Sequence, residues 1–206
     1  MDKTVWEKVF QDGKDFSPLN LVFLEKLLER ISSLRKKRGC EKPPATLVDF
    51  GCGTGDTILK FAARGIAAQG IDWSRRALDK AKLNAQKKSL EEKVVWTLLD
   101  LGEISVSKIV HNPSDLIVSK LTYAFIDQKE KFLNSVVKLL SPCSVFILIT
   151  PVLHQGFIYS DADKPKIAVD FEETKKLLEK NFGYVEEFHH DYFGEKGDEV
   201  TFLVMK

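Results

Sequence analysis

"VDFGCGTGD", Val48 to Asp56, places three glycines at alternate positions, Gly51, Gly53 and Gly55, directly after the apolar run "ATLVDF". Glycine loses more backbone freedom on folding than any other residue, so a cluster at a strand end marks a turn that something approaches closely. What surrounds the turn decides the fold. From Pro44 onward, apolar runs alternate with stretches of helical spacing. "ATLVDFG" reads as a first strand and "DTILKFAARG" as a helix ending at Gly65. "IAAQGID" is a second strand, and "SRRALDKAKLNAQKK" a helix with Ser74 as its N-cap. "KVVWTLLD", the start of "SDLIVSKLTYAFI" and "CSVFILITP" continue the strands, with "QKEKFLNSVVKLL" a helix between the last two. The last of these strands is apolar enough to be buried on both faces.

Strands alternating with helices imply right-handed crossovers and a mostly parallel sheet with helices on both faces. The end of the chain differs. After the helix "DFEETKKLLEKNFG", the segments "YVEEFHHDYF" and "EVTFLVMK" are joined by the glycine-bearing "GEKGD", which reads as an antiparallel hairpin. Before the sheet, "SPLNLVFLEKLLERISSLRKK" has helical spacing and is expected to pack on the domain or cap its site.

Composition narrows the function classes. The 206 residues suit one domain with a real core, and 44% hydrophobic residues favour folding over disorder. Lys and Arg number 31 against 30 Asp and Glu, and no basic stripe carries interleaved aromatics, so no nucleic-acid partner is expected. The densest basic run, "LRKKRG", closes a helix, where the dipole favours cations. Cys40, Cys52 and Cys143 form no CxxC pair, so neither a metal site nor a disulfide framework is expected. No stretch reaches the length of a membrane span and "MDKTVWEKVF" has no apolar h-region, so a soluble, cytoplasmic protein is expected.

The glycine spacing then discriminates between ligands. A dinucleotide loop of the form GxGxxG needs its third glycine where Asp56 stands. The GxGxG form of "DFGCGTG", the acid ending "GIDWS" and the acid ending "LLDL" together resemble the class I S-adenosylmethionine-dependent methyltransferases. The resemblance runs from about Thr46 to the C-terminus. It implies a Rossmann-like, seven-stranded, mostly parallel sheet whose last strand is antiparallel. It also divides the chain into an N-terminal helical lid or cap, residues 1–43, and a methyltransferase domain, residues 44–206.

By the same resemblance the cofactor is S-adenosylmethionine, held by Asp49, Gly51, Cys52, Gly53, Gly55, Asp72, Trp73, Asp100, Leu101 and Ser119. Independent chemistry supports the acids. A carboxylate at a strand end can accept both ribose hydroxyls, the role expected of Asp72, and Asp100 can accept from the adenine amine. Trp73 is placed against the adenine or in the core. Asp49 falls near the cofactor's amino-acid end, and Cys52 is a small filler rather than a nucleophile.

The acceptor is harder to read. A sulfonium carries an already activated methyl, so the protein chiefly aligns donor and acceptor, an effect that can supply about 7–11 kcal/mol of the barrier. The segment "VSKLTYAFI" lacks the Asn-Pro-Pro-Tyr or Asp-Pro-Pro-Tyr signature of the methyltransferases that act on nucleobases or glutamine. Tyr123 and His154 are the candidate catalytic groups, His154 because a histidine titrates near neutral pH, and Lys120 lies near the site by position. His189 and His190 are strand neighbours that point to opposite faces and are assigned no chemistry. Trp6, Phe10 and Phe16 give the N-terminal segment the character of a lid. The expected activity is methyl transfer to O or N of a small metabolite or natural product. The alternatives are a peptide or protein acceptor, and a non-catalytic cofactor-binding subunit.

The glycine spacing yields a direct prediction. Titration calorimetry should show S-adenosylhomocysteine binding and no comparable binding of NADH; the reverse preference would overturn the reading of the loop.

Overall fold

A computed structural model of the chain describes residues 3–11, 18–101, 114–153, 168–190 and 199–206. The chain order is α1 (Lys3–Gln11), α2 (Leu21–Lys37), β1 (Thr46–Phe50), α3 (Asp56–Ala62), β2 (Ala67–Asp72), α4 (Arg75–Lys87) and β3 (Val94–Leu98). Then follow β4 (Leu116–Lys120), α5 (Lys129–Leu139), β5 (Val145–Leu153), β6 (Val169–Asp170), α6 (Phe171–Asn181), β7 (Tyr184–His190) and β8 (Glu199–Met205).

The sheet runs β3-β2-β1-β4-β5-β8-β7, with two-residue β6 paired beside β5 off that path. Strands β1 to β5 are parallel neighbours, and β8 lies antiparallel to both β5 and β7. The seven-stranded path matches the expectation, and β6 is the eighth strand that the sequence did not signal. Two residues are too few for a periodicity of two to register. The hairpin forms as read, although its turn lies outside the described residues.

Two apolar layers flank the sheet. One joins Val48, Phe50 and Ile117 to Phe132, Val136 and Leu178 of α5 and α6. The other joins Leu47, Leu116 and Val118 to Leu24, Leu27 and Ile31 of α2 and to Ile58 and Phe61 of α3. Alternate residues of each strand feed opposite layers, as the pleat requires. Helix starts are capped locally. Asn20 accepts from Val22 and Phe23, Ser74 from Ala77, and Asp170 from Glu173. Among the described residues no helix is long and apolar enough to cross a membrane.

Two expectations need correction. Arg35, in the basic run, does more than complement a helix dipole. It is buried and donates to the Cys143 and Lys42 carbonyls and to Asp115. Asp115 in turn accepts from the Ala45 and Thr46 amides, fixing the amino end of β1. Secondly, Cys40 and Cys143 form a disulfide, with Cα atoms 5.8 Å apart and a sequence separation of 103 residues. Local spacing rules cannot detect a pair so distant; the sheet, by closing β5 onto the end of α2, brings the thiols together.

A disulfide that restrains the unfolded chain typically stabilises the fold by about 2–4 kcal/mol. Peptide mapping without reductant should recover the Cys40–Cys143 link with Cys52 free. Reduction should lower Tm by roughly 5–15 °C on the usual conversion for chains of this size. An unchanged Tm in the reduced protein would show that the bridge contributes nothing.

Candidate cofactor and acceptor site

β1 and β4 stand on either side of the point where the strand order reverses, where open parallel sheets form a crevice beyond their carboxyl ends. The glycine loop crosses this crevice, and each glycine there serves a different need. Gly51 has φ 76°, and a Cβ on it would fall 2.0 Å from Thr122 Oγ1. Thr122 is placed there by Leu121, whose φ of 59° is left-handed and unusual for a residue with a side chain. Gly55 is crowded by Trp96, 2.9 Å from where its Cβ would stand. Gly53 alone of the three is open: a Cβ on it would meet nothing closer than the Phe10 ring of α1, at 3.7 Å. Two of the three glycines therefore answer to the protein's own packing, whereas a side chain at Gly53 would meet only ordinary contact with Phe10.

Asp72, at the end of β2, braces the loop. Its Oδ2 accepts from the Gly53 amide at 2.9 Å and its Oδ1 from the Ser74 amide at 2.9 Å. Burial raises its carboxyl above the ordinary range, opposed by those backbone donors. Each carboxylate oxygen retains a second lone pair for a hydroxyl donor. Asp56, which stands where a dinucleotide loop needs glycine, accepts from the Leu19 amide and from Lys60, tying α3 to the segment before α2. Cys52 is buried, and burial pushes its thiol well above the usual value, as suits a filler and not a nucleophile.

Asp49 and Ser119 lie deeper. Asp49 is 1% exposed, and its Oδ2 has no hydrogen-bond partner among the described residues; the same holds for the fully buried Ser119 Oγ. Burial pushes Asp49 up to about 7; Lys120 pulls it down, while Asp72 and Asp56 push it up. Trp73, Asp100 and Leu101 are half-buried, following β2 and β3 at the rim of the same crevice. The Leu99 amide donates to the Asp72 carbonyl and draws the end of β3 alongside.

The catalytic candidates fare differently. Tyr123 is fully buried, its ring 6.2 Å from that of Phe132 in the α5 layer. Burial raises its phenol far from a useful base, and the Glu173 charge adds to this. Its aromatic ring answers to the core. His154 and Phe16 lie outside the described residues. His189 rests its ring 5.6 Å from Phe171, away from the glycine loop.

The sequence did not single out Glu7. Its Oε1 accepts from Ser74 Oγ at 2.7 Å and its Oε2 lies 3.4 Å from Arg76 Nε, pinning α1 to the start of α4. Trp6 packs edge-on against Phe125, centroids 5.3 Å apart. α1 thus spans from the turn after β4, over Gly53, to α4.

A family model described as a methyltransferase domain matches residues 41–199, and the chain belongs to that family, within the class I S-adenosylmethionine-dependent methyltransferases. Norajmaline N-methyltransferase of Rauvolfia serpentina is 27% identical over 68% of this chain and 44% of its own length. Ajmaline N-methyltransferase of the same plant is 29% identical over 54% of this chain and 38% of its own. The chain thus spans less than half the length of these curated relatives. The crystal structure of the plantazolicin methyltransferase BamL, in complex with a triazolic desmethylPZN analog and SAH, superposes with a TM-score of 0.71 at 16% identity. That match covers all of this chain and 91% of the other. The crevice suits the family's cofactor, because an acceptor atom is buried at its base and a glycine without a blocking neighbour lies at its edge.

The buried acids have a cost in stability with a defined sign. Asp49 titrates near its ordinary 3.8 when unfolded and at about 7 when folded, so the folded state holds a proton that the unfolded chain has released. Stability contributed this way is present below pH 4 and is lost as pH rises towards 7. Asp49→Asn should therefore raise the Tm of the ligand-free protein at pH 8, by about 2–4 °C for each kcal/mol relieved. It should also flatten the fall between pH 5 and pH 8. A lower Tm at pH 8 would contradict the raised carboxyl.

Proposed function

We propose that this chain transfers the methyl group of S-adenosylmethionine to a nucleophilic nitrogen or oxygen, with nitrogen preferred, of a small molecule held beneath α1. The observation that carries the reading is the bridge made by α1. Trp6 against Phe125, Phe10 against Gly53 and Glu7 on Ser74 close the crevice from above. A covered crevice suits a small acceptor better than a folded macromolecule. The preference for nitrogen rests on the two N-methyltransferase relatives.

In this reading the cofactor-binding set is the one expected from the sequence. Asp72 takes the ribose hydroxyls while bracing Gly53, and Asp100 with the Leu101 amide meets the adenine. Trp73 covers it, Asp49 faces the amino-acid end, and Ser119 lines the base of the crevice. The Gly51–Gly55 backbone, with Cys52 as filler, forms the wall. When bound, S-adenosylmethionine would supply an activated methyl on a cationic sulfur, with S-adenosylhomocysteine as the leaving group. The chain contributes alignment and exclusion of water, with Trp6, Phe10 and Phe125 as the apolar cover. No base is required of Tyr123, whose raised phenol stays protonated. A neutral amine needs none, since its proton can leave to solvent after transfer.

Methyl-transfer rates measured against panels of small amines and phenols, peptide pools and folded proteins test the reading. Turnover should appear with small amines. Removing residues 1–11 should lower it by roughly 100-fold through lost alignment while leaving Tm within a few degrees. Activity confined to folded proteins or to nucleic acid would overturn the small-acceptor reading.

A further inference from the structure

Beyond Asp49, the base of the crevice carries two charges that no motif marks. β1 and β4 pair with Asp49 opposite Val118, so Lys120, two residues on, stands on the same face of the sheet. Lys120 is opposite Ile149 of β5, and Ile149 is opposite Thr201 of β8. Glu199, two residues before Thr201, therefore shares that face as well. Three strands thus bring Asp49, Lys120 and Glu199 to one end of one face, with Lys120 in the middle. The Lys120 ammonium interacts with Glu199, Asp56 and Asp49, and with Lys60 of like charge. Asp56 is already engaged by Lys60 and the Leu19 amide. Glu199 is 1% exposed and faces the Lys120 charge.

Side by side at the switch point, then, stand a cation and a buried carboxylate whose Oδ2 meets no donor among the described residues. Such a pair is the complement of an α-amino acid, which presents an ammonium and a carboxylate on one carbon. We propose that Lys120 binds the carboxylate of the cofactor's amino-acid end, and that Glu199 is the positioning residue that holds Lys120 towards it. The proposal rests on S-adenosylmethionine as cofactor and adds two residues to its site. Burial favours the neutral amine of Lys120, and Glu199, followed by Asp56 and Asp49, opposes that loss of charge. Glu199 consequently keeps Lys120 ionised as well as placed. Neither residue sits in the glycine loop, so neither is reported by its motif.

The test changes the ligand and the protein together. Decarboxylated S-adenosylmethionine lacks only the carboxylate, and calorimetry at pH 7.5 can compare it with S-adenosylmethionine. Wild-type protein should bind the decarboxylated form about tenfold or more weakly, the loss of one charge-assisted hydrogen bond. Lys120→Met should bind both forms with the same affinity, because the partner of the missing group is gone. Lys120→Arg should restore part of the preference. Glu199→Gln should shrink the preference without erasing it, and the melting temperature of each variant reports whether it is folded. Equal binding of both forms by wild-type protein would overturn the proposal without any variant. So would a Lys120→Met protein that keeps the wild-type preference, its affinity for both forms falling by the same factor. Failure of wild-type protein to bind either form would instead remove the cofactor itself.

Discussion

The Asp72 carboxylate joins two segments that the chain makes separately, the glycine loop after β1 and the start of α4. One oxygen holds the Gly53 amide and the other the Ser74 amide, both at 2.9 Å. Ser74 then caps α4 and donates its hydroxyl to Glu7, so the same chain of contacts reaches α1. Loop, helix start and cover are thereby set relative to one another by one buried group. A hydrogen bond from a backbone amide to a charged acceptor is worth about 1.5–3 kcal/mol, and leaving a buried donor unmet costs a similar amount. Loss of Asp72 therefore loosens the cradle on both sides.

The crevice is also where the molecule departs from comfortable structure. Leu121 adopts a left-handed backbone, and Asp49 keeps a carboxylate oxygen buried without a donor among the described residues. Asp49 and Glu199 are both pushed up to about 7, chiefly by burial, with Lys120 opposing. Such features lower stability and persist where the surrounding structure enforces them, which is the pattern of binding sites. The scaffold around them is conventional. Nearly every residue of β5 and β8 is buried, and the two apolar layers pack α2, α3, α5 and α6 against them.

Much of this was legible because it is local. The alternation of "ATLVDFG", "IAAQGID" and "KVVWTLLD" with helical stretches marked the strands of a mostly parallel sheet, and Ser74 announced its helix by residue type alone. Asp72 ends β2 as read from the sequence, and Asp100 follows just beyond the end of β3. What escaped depends on distant pairing. Nothing near Cys40 hints at Cys143, and Lys120 meets Glu199 only because β8 returns antiparallel beside β5. The reasons behind the glycines also escaped, since Trp96 and Thr122 come from other strands and turns. The burial of Tyr123 was equally hidden, because the turn after β4 sets its ring against Phe132 of α5.

The central claim is that one crevice, framed by the glycine loop, Asp72 and the end of β4 and covered by α1, holds the cofactor. Hydrogen–deuterium exchange with and without S-adenosylhomocysteine tests it most directly, because it reads position rather than activity. The expected result is slowed exchange in residues 3–11, 51–56, 72–74 and 119–122, with the β7–β8 hairpin little changed. Protection that spares the glycine loop and appears elsewhere, or no protection at saturating ligand, would contradict it.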